Sequence, residues 1–210
     1  MKKLNGIIWK CGLMALLLAV GVSAETVTYK GMFRGSSMKI DGTSTVHDWT
    51  VESKLISGSM ELTGDFPSDL NVDAVPAISG TPKVDVKISC RSLKSGKSVM
   101  DQVMLTAMKA DDHPWINYSL KSLTPSKAER KSGDALGYDA TGDLTVSGVK
   151  KEIKMPVSIS PTEKGLQIEG KVKVKMSDFG IDAPAPKIAL GLIKTGDEVD
   201  LTFVWQTQKK

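Results

Sequence analysis

GDLTVSGVKKEIKMPVSI, residues 142–159, decides the fold. Leu144 and Val146 alternate with Asp143, Thr145 and Ser147; after a polar stretch, Ile153, Met155, Val157 and Ile159 alternate with Glu152, Lys154, Pro156 and Ser158. Apolar residues at a spacing of two on both sides of a short turn predict a β-hairpin with one buried face. The turn is read at Gly148 with Val149, Lys150 and Lys151. Pro156 has no N–H to give a ladder, so its position calls for an edge, a bulge or a wide pair.

The same alternation spreads outward in both directions. Upstream, Tyr138 and Ala140 extend the first arm, and Ile116, Tyr118 and Leu120 form another strand. Val84, Val86, Ile88 and Cys90 alternate with Lys83, Asp85, Lys87 and Ser89, which puts Cys90 on the buried face as an unreactive thiol. Val27 and Tyr29 open a first strand, and Met38, Ile40 and Gly42 a second. Val51 to Leu62 reads as one long strand whose phase slips at Leu55-Ile56, the mark of a bulge. Downstream, Leu166 to Met176 and Val199 to Trp205 complete the set, Phe203 lying on the last strand.

Two stretches break the alternation. Residues 64–82, rich in Gly, Pro, Ser and Asp, form a long loop that Leu70, Val72, Val75 and Ile78 pin to the body; residues 178–192 form a second loop broken by Pro and Gly. Met100, Met104 and Met108, with Val103 and Ala107 beside them, repeat at helical spacing and predict one amphipathic helix ending before Pro114. At least eight strands, one short helix and no alternation of strands with helices define an all-β chain. Long antiparallel strands in that number leave two exposed edges unless the sheet closes, which favours a barrel over a sandwich.

Residues 1–24 are set apart. Lys2, Lys3 and Lys10 precede an apolar run from Cys11 to Val22, and Val22-Ser23-Ala24 has small residues where cleavage requires them. This is the pattern of a secretory signal peptide, too short to span a membrane, and it leaves one domain over residues 25–210 with a periplasmic or secreted destination. Without the first 24 residues, 25 basic side chains face 24 acidic ones, a net charge of +1. The charges are dispersed over strand faces, so no nucleic-acid partner is expected. Cys90 is then the sole cysteine, and the core must hold the fold without a disulfide.

Several motifs in a fixed order resemble the YceI-like family of exported, polyisoprenoid-binding bacterial proteins. They are Gly42-Thr43-Ser44-Thr45-Val46-His47, Met100-Asp101 with Leu105, His113-Pro114-Trp115-Ile116-Asn117-Tyr118, Gly142-Asp143-Leu144-Thr145 through Gly148 to Pro156-Val157, Asp178-Phe179-Gly180-Ile181, and Gly196-Asp197-Glu198-Val199. Departures are the long segment 64–82, the methionine-rich helix and Asp48-Trp49 after the histidine. The resemblance implies an extended, eight-stranded, lipocalin-like antiparallel barrel around an apolar tunnel. It implies a bound long-chain isoprenoid, quinone-like or fatty lipid, and no catalysis.

In that frame the expected ligand contacts are His47, Trp49, Met100, Met104, Met108, Trp115, Tyr118, Phe179 and Phe203. His47 and Trp49 would sit at the tunnel mouth, or else form a local structural cluster in which the histidine bonds a backbone carbonyl. The methionines would line a lid or wall adaptable to a flexible chain, with Met38, Met60, Met155 and Met176 as neighbours, or else form an ordinary core face. No metal or other cofactor is expected, since His47, His113 and the nearby aspartates match no ligand spacing. Asp178-Phe179-Gly180 lacks every companion of the kinase motif it spells. Two rivals stay open: an envelope stress-related interaction protein with a filled barrel, and a lipid-modifying enzyme using His47 or His113. The oligomeric state is open, a homodimer included.

Overall fold

A computed structural model describes residues 25–184 and 194–210. The segment read as a signal peptide and most of the second loop lie outside the described residues. Ten strands occur in chain order: β1 (Thr26–Gly31), β2 (Ser37–Ser44), β3 (Trp49–Ser53), β4 (Ser57–Thr63), β5 (Lys83–Ser89), β6 (Trp115–Pro125), β7 (Leu136–Val146), β8 (Val149–Pro161), β9 (Leu166–Lys175) and β10 (Thr195–Lys209). The helix α1 spans Ser98–Ala107 between β5 and β6.

All neighbouring strands are antiparallel, and the ring closes because β10 pairs with both β9 and β1. The barrel has eight staves, because β1 and β2 are two halves of one bent stave along β10, and β3 and β4 two halves of the next. Each bend is carried by a buried serine. The Ser36 hydroxyl donates to the Met32 carbonyl at 2.6 Å and accepts the Gln206 N–H at 3.0 Å, filling the gap in the ladder. At the second bend Ser53 accepts the Leu55 N–H at 3.1 Å and meets the Ser92 hydroxyl at 2.7 Å. The slip read at Leu55-Ile56 is this bend: Leu55 turns outward while Ile56 is buried.

The hairpin formed by β7 and β8 is tighter than its sequence implied. Its turn is only Ser147 and Gly148, at φ of 51° and 77°, and Val149 to Lys151 already belong to β8. Two consecutive positive φ values give the twist that matches two antiparallel strands, and Gly adopts one of them without strain. Pro156 pairs with Asp139 of β7, and the ladder from β8 to β9 begins only at Val157. The expected edge is therefore a seam between the first half of β8 and the second half of β9. The turn Ser177–Phe179 packs against both strands there. Cys90 is fully buried as expected but starts a 3-10 turn after β5, and β6 runs on to Pro125, well beyond Leu120.

The loop of residues 64–82 covers the far end of the barrel. Phe66 meets Tyr138 edge-on with ring centroids 6.2 Å apart, and the Tyr138 hydroxyl donates to the Pro76 carbonyl at 3.1 Å. Arg130 donates to the carbonyls of Leu70, Val72 and Asp134. Leu70, Val72, Val75 and Ile78 pack on the core as the sequence implied. Outside, Lys and acidic residues pair across strands, as Lys171 with Asp200 and Lys173 with Glu198, both at 3.6 Å. Such exposed pairs add little stability.

Candidate functional site

Alternation puts one side chain of every two into the barrel, and these inward residues leave it hollow. An inner chamber of about 110 Å³ has a wholly apolar surface, to which Met60, Tyr118, Met155, Ile168 and Phe203 contribute. An outer chamber of about 380 Å³ lies beneath α1. Met38, Ile116, Leu144 and Leu201 belong to both walls. The two chambers thus adjoin at a waist formed by these four side chains, and the outer one alone falls in the usual range for ligand pockets, about 300–1,000 Å³.

Inward glycines let large rings lie against the wall. A methyl group on Gly170 would fall 2.6 Å from the Phe203 ring, one on Gly142 2.5 Å from the Tyr118 hydroxyl, and one on Gly31 2.6 Å from the Trp205 indole nitrogen; Gly42 is covered likewise by Trp49. Strand glycines in contact with another group mark close approach. The Tyr118 hydroxyl and the Trp205 indole N–H are buried there without a hydrogen-bond partner. Burial, then the charge of Asp143, pushes the Tyr118 hydroxyl up to about 12, so it stays protonated.

Helix α1 roofs the outer chamber. Met100, Val103, Met104, Ala107 and Met108 all line it, which is the face the helical spacing predicted. The approach to α1 is fixed by Asp101, which accepts the Ser95 N–H at 2.8 Å and its hydroxyl at 2.6 Å. The Ser95 hydroxyl foremost, and then its N–H and Lys94, hold the Asp101 carboxyl below the usual range against the opposing effect of burial. At the other end Lys109 takes φ of 51°, and the Ser147 hydroxyl donates to the Met108 carbonyl at 2.8 Å. The hairpin turn therefore docks on the helix end, with His113 packed over Gly148 and outside both chamber walls.

Eight of the nine residues expected to meet ligand line one chamber or the other. His47, Trp49, Met100, Met104, Met108 and Phe179 face the outer chamber, and Tyr118 and Phe203 the inner one. Trp115 lies outside both walls and is 46 % exposed, because Ile116 takes the inward position on β6. The polar tips at the mouth also have local partners: His47 Nδ1 meets the Asp48 carbonyl at 2.8 Å, and the Trp49 indole donates to the Thr43 carbonyl at 3.1 Å. Sequence reasoning missed Ser44, Lys97 and Thr195, polar members of the outer wall, and the exposed rim residues Val46 and Val99. Lys97 precedes the helix and Thr195 follows a loop, so neither carries a periodic signal. Among the described residues no group of three or more His, Cys, Asp or Glu is placed to hold a metal ion, and no helix is long and apolar enough to cross a membrane.

The fold and site define a closed antiparallel barrel with two adjoining, largely apolar chambers, the outer one roofed by one helix. The chain belongs to the YceI-like domain family, whose profile matches residues 20–207. No curated protein matches it in sequence. Among solved structures it is similar to Burkholderia cenocepacia BcnA, with a TM-score of 0.64 and 15% identity over 83% of this chain and 98% of that one. It is similar also to a polyisoprenoid binding domain from Saccharophagus degradans implicated in plant cell wall breakdown, at 0.63 and 13% over 87% and 98%. The YceI protein of Campylobacter jejuni matches at 0.53 and 20% over 76% and 84%. At these identities the likeness is one of fold.

Proposed function

We propose that the protein is an exported carrier that sequesters a long-chain isoprenoid lipid in its barrel. The observation that carries this reading is the hollow apolar interior, an outer chamber of about 380 Å³ and an inner one of about 110 Å³ that adjoin at a four-residue waist. A chain molecule needs no catalytic group there, since each buried CH₂ is worth about 0.8 kcal/mol. Methionines on both sides of the waist adapt to a flexible chain more readily than branched residues do. The Saccharophagus degradans neighbour is described as polyisoprenoid binding, which favours isoprenoids over quinone-like or fatty chains. The basic start, apolar run and small residues before residue 25 support export. The hollow interior counts against the filled-barrel reading.

Native mass spectrometry of mature protein from an exporting host, followed by organic extraction, tests this. A stoichiometric long-chain isoprenoid released on denaturation is the expected result. An apo mass unchanged after incubation with C15 to C40 prenyl lipids would overturn it.

A further inference from the structure

Resting on the carrier reading, we propose that cargo passes through the side of the barrel, by a slit between β8 and β9 that the turn Ser177–Phe179 plugs. β8 pairs with β7 from Val149 to Ile159, and β9 pairs with β10 from Gln167 to Lys175, so each strand is held on its far side. Between the two strands the ladder runs only from Pro161 and Leu166 to Val157 and Gly170. Residues 149–156 and 171–175 therefore face one another without a rung.

The missing rungs have a cause in the side chains. Continuing the register past Val157 and Gly170 would set Pro156 against Lys171 and Lys154 against Lys173. Pro156 has no N–H to donate, and like charges directly opposite are destabilising. The lips are also drawn apart. Lys150 pairs with Asp143 of β7 at 3.8 Å, and Lys171 and Lys173 pair with Asp200 and Glu198 of β10, both at 3.6 Å. Burial follows the ladder: Val157, Ile159, Leu166 and Ile168 are buried where the strands pair, whereas Ile153, Val172 and Val174 are only partly buried where they do not. Ile153 and Val172 line the inner chamber and Val174 the outer, so the slit runs beside both.

At the mouth end the chain beyond β9 fills the slit. Phe179 and Ile181 are buried in the outer wall, and Gly180, at φ of 64°, turns the chain against Val149. The plug is fastened to β10, where Asp197 accepts the Ser177 N–H at 2.8 Å and its hydroxyl at 2.6 Å. Among the described residues no hydrogen bond ties it to β8. The β3 edge differs, since Lys94 exchanges both backbone bonds with Glu52 at 2.9 Å. Parting β8 from the plug breaks apolar contacts alone, whereas opening a paired stretch of wall would leave backbone groups unbonded.

A Cβ on Gly180 would lie 3.6 Å from the Val149 side chain, within reach of a disulfide, and Cys90 is fully buried. The test compares the oxidised and reduced forms of the variant Val149→Cys with Gly180→Cys, which share any strain at residue 180. Stopped-flow tryptophan fluorescence follows the uptake and release of farnesol. The oxidised form should take up and release it about tenfold more slowly, with equilibrium affinity unchanged, and reduction should restore both rates. Equal rates in the two forms would overturn the portal and leave the carrier reading standing. Failure of the wild type to bind farnesol would overturn both. A second variant needs no cross-link: Lys154→Glu with Pro156→Val supplies the missing N–H and a charge opposite to Lys173. Amide exchange along residues 171–175 should slow as the ladder extends, and uptake should slow with it. Uptake at the wild-type rate through an extended ladder would overturn the portal.

Discussion

Replacing Leu144 by tryptophan would close the waist between the two chambers. Leu144 is buried and shared by both walls. The indole would reach across toward Met38, Ile116 and Leu201 and deny a ligand the 110 Å³ beyond them. Withdrawing one five-carbon prenyl unit forfeits about 4 kcal/mol at about 0.8 kcal/mol per buried carbon group. Area arithmetic overstates binding, and a displaced unit keeps partial cover in the outer chamber, so the expected loss is about thirtyfold. The assay is competitive displacement by prenyl alcohols of C10, C15 and C20. Wild-type affinity should climb with each added unit, whereas the variant should bind C10 normally and gain nothing beyond C15. Parallel climbs in the two proteins would refute a tunnel that continues past the waist. Overpacking costs about 1–3 kcal/mol, so thermal unfolding of the variant is measured alongside, with Leu144→Phe as the milder plug.

Gly170→Ala drives a methyl group to 2.6 Å from the Phe203 ring and should cost about 1–3 kcal/mol in urea unfolding, most of it recovered when Phe203→Leu is added. Arg130→Met removes donors to three carbonyls and should raise the rate of protease cleavage within residues 64–82, which an unloosened loop would not show. The folded Asp101 carboxyl titrates below its unfolded value near 3.9, so its contribution is present at neutral pH and lost as pH falls through the folded value. Wild type and Asp101→Asn should therefore differ in thermal stability at pH 7 and converge as acid protonates the folded carboxyl; a constant gap would show that the charge is irrelevant. Cys90 is fully buried and burial pushes its thiol up, so it should resist thiol reagents until the barrel unfolds.

Most of the barrel was legible because strands with one buried face write their orientation into every second residue. The alternation of Val84, Val86 and Ile88, and the methionine stripe of α1, both point where the sequence put them. The count of long strands with edges to hide favoured closure, and the family motifs supplied the eight-stranded, lipocalin-like form, which alternation alone does not distinguish from other closed sheets. Trp115 shows the limit of reading aromatic residues as contacts: the same alternation that turns Ile116 and Tyr118 inward turns Trp115 out. The bends were half visible. A phase slip marked the one at Ile56, but Ser36 and Ser53 look like any strand serines until the ladder they complete is seen. The polar outer wall was not legible, since Ser44, Lys97 and Thr195 meet only through the closing of the ring.

The rings seated on Gly31, Gly42, Gly142 and Gly170 separate calibre from construction. The ladder hydrogen bonds that hold the staves belong to the backbone, whereas the width of the passage is set by side chains resting on glycine. Trimming a ring widens the bore locally, whereas a methyl group on the glycine beneath presses the ring inward and, at Gly142, meets the Ser119 carbonyl as well. The calibre of the passage can thus be reset through a few substitutions at fixed heights, while the frame stays recognisable at 13% to 20% identity.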